Sequence, residues 1–165
     1  MAVRRGPGTS ARAIAPADPV DPVLVGRARD LLDRAEILMD NADGVPDAAE
    51  RFRQYYLAAL RAAGAALAVH EPPGRTAARR GSPNAWSRIA LRVPELADYA
   101  DEFARLSGVR MNIETGLTRD HDIEVHEVTR LRTRVFAFLD DVEAAVTAYE
   151  QGKHATRGTG IGHTA

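Results

Sequence analysis

Between Val23 and Glu150 apolar residues recur every three or four positions, with almost no strict alternation. That period is the signature of helices burying one face rather than of half-buried strands. The first stripe is Leu24, Ala28, Leu31, Leu32, Ala35, Leu38, Met39 and Ala42. It predicts a helix from Pro22 to about Asn41, closed by Asp43-Gly44 with the glycine in the left-handed conformation. A second stripe, Phe52, Tyr55, Tyr56, Ala59, Leu60, Ala63, Ala66 and Leu67, predicts a helix from Pro46 or Asp47 to His70. Pro46 suits its first turn, and Asp47-x-x-Glu50 resembles a capping box. The alanine run after Leu57 leaves room for a neighbour to approach closely, which makes this the expected central helix. His70 is expected to cap its C-terminal carbonyls.

Glu71–Pro83 reads as a loop punctuated by Pro72-Pro73-Gly74 and Gly81-Ser82-Pro83. Ser82 as cap and Pro83 in the first turn predict a short helix through Arg92, carrying Trp86, Ile89 and Ala90. Pro94 then opens a helix over Glu95–Glu114, which Gly108 is expected to kink or end. The longest stripe runs from Val128 through Leu131, Val135, Phe138, Leu139, Val142 and Val146 to Tyr149, and predicts a final helix over Asp122–Glu150. Short connections make such helices antiparallel neighbours. The expected fold is all-α, an antiparallel four-helix up-down bundle over residues 21–151 with one short inserted helix. Residues 1–20 and 152–165, rich in Gly, Pro and Ala without periodicity, are expected to be disordered tails.

Composition narrows the function more than it defines it. The chain of 165 residues has no cysteine, which excludes disulfides, thiolate zinc sites and a cysteine nucleophile. Neither a membrane span nor a secretory leader is readable, so a cytoplasmic location is expected. The net charge of −1 offers no overall attraction to nucleic acid. Charge is nonetheless uneven: Glu71–Pro94 has five Arg and one Glu, whereas Glu95–Glu150 has six Arg against thirteen Asp and Glu. No cofactor motif is present, and no metal site is expected. His121, Asp122 and His126 do not share one helical face, and neither His-Glu-x-x-His nor Glu-x-x-His occurs.

Three segments together resemble a known family. They are Arg51–Ala68 (RFRQYYLAALRAAGAALA), Asn84–Ala104 (NAWSRIALRVPELADYADEFA), and Gly116-Leu117 leading into the long last helix. This order is similar to an actinobacterial branch of the HEPN (higher eukaryotes and prokaryotes nucleotide-binding) domains over Val23–Glu150. The resemblance implies a helical bundle that forms a homodimer. It also implies either a metal-independent endoribonuclease, in some cases a toxin paired with a nucleotidyltransferase-type antitoxin, or an inactive module that binds a protein or RNA partner.

Active HEPN enzymes resemble one another in an Arg-x4–6-His motif near the start of the last helix, and Arg119 and His126 stand at that place with six residues between them. A histidine titrating near neutrality and an arginine facing a phosphate fit RNA cleavage. Spacing alone carries little, since Arg157 and His163 also satisfy it in the C-terminal tail, and Asp120, Asp122 and Glu124 surround the first pair with charge that repels phosphate. Arg79, Arg80 and Arg88 with Trp86 form a second candidate, a patch for RNA or a partner. The opposing reading packs Trp86 into the bundle and leaves the arginines solvated. The sequence therefore points to a non-catalytic HEPN-like domain, with the endoribonuclease as its alternative.

Overall fold

The computed structural model describes residues 19–71 and 84–153, apart from the side chain of His121. Five helices carry the described chain: α1 (Pro22–Asp43), α2 (Ala48–His70), α3 (Ala85–Arg92), α4 (Ala97–Glu114) and α5 (Val125–Glu150). Short 3-10 turns span Pro94–Leu96 and Asp120–Asp122. Among the described residues there is no strand. The expected tails lie almost wholly outside the described residues; of the first, Val20 packs partly buried against the core.

The helix ends follow side-chain chemistry, with several corrections to the sequence reading. Asp21 caps α1 by accepting the Val23 N–H at 2.8 Å. The helix runs on to Asp43, and Gly44 closes it in the right-handed region, φ −91°, not the left-handed one. Asp47 caps α2 by accepting the Glu50 N–H at 2.8 Å. The capping box is only half made, because the Glu50 carboxylate turns to Arg53 and Gln54, each at 2.8 Å. Pro46 precedes this cap instead of occupying the first turn. His70 meets the carbonyl of Ala66 through Nδ1 at 2.7 Å, as a C-terminal cap should.

Asn84 caps α3 through the Ser87 N–H at 3.0 Å; the expected cap, Ser82, lies outside the described residues. Pro94 starts a 3-10 turn before α4, and Gly108 passes through the middle of that helix without ending it. Gly116, at φ +73°, follows its end and supplies the left-handed conformation that side chains resist. The last helix begins at Val125, three residues later than the stripe suggested. Asp120 is committed elsewhere, its carboxylate accepting the N–H of Ala48 at the start of α2, and Ile123 is buried against the bundle.

Contacts far apart in sequence give the helix directions. Tyr55 meets Asp43, and Gly64 lies against Leu31, so α1 and α2 are antiparallel. Asp43 pairs with Arg132, while Arg29 reaches Glu143 and Glu150, so α1 and α5 are antiparallel too. Tyr99 bonds Asp141 and Glu102 bonds Arg134, which opposes α4 to α5. Helix α2 is central and packs on all four others. Its alanines 58, 59, 62, 63, 65 and 66 are fully buried, and side chains this small let helix axes approach at the short end of the usual range. A second part of the core is aromatic: Trp86 lies 5.1 Å from Phe103 and 6.0 Å from Phe138, ring centre to ring centre. No helix of the described residues is long and apolar enough to cross a membrane.

Candidate functional site

Arg119 and His126 flank the turn that joins α4 to α5. Both are exposed, with the His126 side chain at 66% of its full accessibility. His126 sits in the first turn of α5, two residues before the buried Val128, so the helical period turns it away from the core. Its Nδ1 lies 3.9 Å from the Glu124 carboxylate. The backbone N–H of Arg119 donates to Asp122 at 2.9 Å. No hydrogen bond or ion pair joins Arg119 to His126 among the described residues. The turn itself is held by Asp120 and Ile123, through the Ala48 N–H and through burial.

The described members of the second candidate, Trp86 and Arg88, have different surroundings. Trp86 is 3% exposed and donates its indole N–H to the Tyr56 hydroxyl at 2.8 Å. A ring enclosed by Tyr56, Phe103 and Phe138 has no face left for stacking on a base. Arg88 turns its guanidinium to the Glu71 carboxylate, with Nε at 3.3 Å from Oε2. That pair ties α3 to the end of α2. Arg79 and Arg80 lie outside the described residues.

A third group was not foreseen from the sequence. Where the end of α1 meets α2 and α5, Asp43, Arg51, Tyr55, Val128, Thr129 and Arg132 line an open cleft of about 360 Å³. Asp43 accepts three hydrogen bonds there: from the Tyr55 hydroxyl at 2.5 Å and from Arg132 Nε and Nη2 at 2.7 Å each. Arg51 donates to the Val45 carbonyl at 3.2 Å. The Arg132 guanidinium also lies over the Phe136 ring at 4.7 Å. The only advance signal was Tyr55 in a buried stripe, whose hydroxyl has to find a partner at the rim.

The family described as SAV_6107-like HEPN matches residues 42–143, from the end of α1 to within two turns of the end of α5. The chain belongs to the HEPN family. No curated protein and no solved structure gives a match. Chemically, the cleft of this HEPN domain is a locked cluster. The hydrogen bonds from Arg132, then that from Tyr55, lower the Asp43 carboxyl to about 2. Burial, helped by the bond to Asp43, pushes the Tyr55 hydroxyl up to about 12. A proton carrier for neutral pH needs a value near 7, and neither group offers one. Among the described residues, no three His, Cys, Asp or Glu side chains gather as a metal site would require.

Proposed function

We propose that this HEPN domain is a non-catalytic module that acts by self-association and by holding a protein or RNA partner. The observation that carries the reading is the state of Arg119 and His126. Each is exposed, each neighbours a carboxylate, and nothing binds one to the other. Catalytic groups work by being held in place before the reaction. Here the surrounding residues fix the backbone of the turn and leave these two side chains to solvent. The acidic neighbours Asp120, Asp122 and Glu124 add a field that opposes an approaching phosphate.

A protein of the nucleotidyltransferase type is the partner the family suggests, and the cysteine-free composition suits a reducing, cytoplasmic setting. The competing reading makes the domain a metal-independent endoribonuclease of toxin type acting through Arg119 and His126. Induced expression of the full chain in a bacterial host separates the two. The module reading expects unchanged growth and intact total RNA. Growth arrest with RNA fragmentation that disappears in a His126→Ala variant would overturn it.

A further inference from the structure

Past its acidic first turn, where Glu124 caps the helix and Glu127 follows, helix α5 is segregated by charge. Its first half holds Arg130, Arg132 and Arg134; its second half holds Asp140, Asp141, Glu143 and Glu150, with no basic residue in the last turn. Glu127 suits the positive end of the helix dipole, whereas Glu150 stands at the negative end.

Most of these charges are answered within the chain. Arg132 pairs with Asp43 of α1, and Arg134 with Glu102 of α4. Arg29 of α1 takes both Glu143 and Glu150. Asp141 accepts the Tyr99 hydroxyl at 2.7 Å. After that subtraction two charges of the set remain, Arg130 and Asp140. Both are exposed, and neither has a hydrogen bond or ion pair among the described residues. They are ten residues apart, about 15 Å along the axis. Between them the outward side of the helix carries Thr133, Phe136 and Ala137, with Phe136 41% exposed.

We infer that this outer face of α5 is where two copies of the domain meet, with the two α5 helices antiparallel about a two-fold axis beside Thr133, Phe136 and Ala137. A closed two-fold contact is self-complementary: if residue i meets j, then j meets i. The charge order over Arg130–Asp140 meets that condition, because reversal sets the basic end of this stretch in one copy against its acidic end in the other. Arg130 of each copy then faces Asp140 of the other, and both Phe136 rings leave water. The inference rests on the self-association proposed above, and adds the surface and the register.

Charge reversal tests it on the full-length chain. Analytical ultracentrifugation should show a dimer for the native chain. Arg130→Asp and Asp140→Arg, made singly, each set like charges opposite one another twice per dimer, and each should weaken dimerisation by at least about tenfold. The double variant Arg130→Asp/Asp140→Arg restores opposite charges in swapped positions and should recover most of the loss. Circular dichroism should be the same for all four proteins, since both residues are exposed. A dimer insensitive to single reversal, or a double variant as weak as the singles, overturns this surface while leaving self-association intact. A native chain that stays monomeric overturns the surface and self-association together.

Discussion

Two charged regions lie near the start of α5, and they are built in opposite ways. Asp43 of α1, Arg51 and Tyr55 of α2 and Arg132 of α5 meet in one cluster, and each of the four side chains has a hydrogen-bond partner. Around the turn before α5, Arg119 and His126 share a motif spacing but no hydrogen bond or ion pair. The Asp43 cluster joins residues 12 and 89 positions apart in sequence, whereas the motif pair are near neighbours along the chain. Closeness in sequence did not bond the pair to each other, and distance did not keep the cluster from forming. Side-chain direction on the helix decides the matter: Arg132 leans toward α1, and His126 points to solvent.

If the turn is held by its apolar anchor and not by the motif, Ile123→Ala should have the largest effect. The side chain is 7% exposed, and truncating a buried isoleucine costs about 2–4 kcal/mol. Thermal or denaturant unfolding reads this directly; a loss under about 0.5 kcal/mol, the usual range for surface changes, would mean that something else fixes the turn.

Removing Asp43 comes next. Asp43→Ala strands the Tyr55 hydroxyl and the Arg132 guanidinium, and should cost about 1–2 kcal/mol, reduced by the partial exposure of the pair. The same group sets an acid response. Its carboxyl falls from the usual 3.8 to about 2 on folding, so its contribution is complete above 3.8 and fades as pH drops toward 2. Glu50, held near 2 chiefly by Arg53, fades over a similar window from 4.5 downward. Stability measured between pH 5 and 2 should therefore fall less steeply in Asp43→Asn than in the native chain. Equal slopes would remove Asp43 from the account.

Asp120→Ala should lose the bond to the Ala48 N–H and cost about 1 kcal/mol, the usual scale for a helix cap. The smallest effects belong to the motif. Arg119→Ala and His126→Ala should each stay within about 0.5 kcal/mol of the native stability, as exposed substitutions do. A larger loss at either position would show that the pair has partners after all.

Much of the fold was legible because apolar period and capping chemistry are local. Leu32, Ala35 and Met39, or Val135, Phe138 and Val142, announce a buried helical face wherever they stand. Burial of Trp86 beside Ile89 followed from the same rule. The start of α5 was misjudged because the claims on Asp120 and Ile123 come from α2 and the core, which no local window contains. The Asp43–Arg132 pair was hidden for the same reason. A helix wheel tells which residues face a neighbour, but not which of five helices that neighbour is.

Whether Arg119 and His126 cleave RNA is open to one direct measurement. Purified protein in molar excess over labelled single-stranded and hairpin RNAs, with chelator present, should leave both uncut, and the double variant Arg119→Ala/His126→Ala should give the same traces. Cleavage by the native protein that vanishes in the double variant would contradict the account.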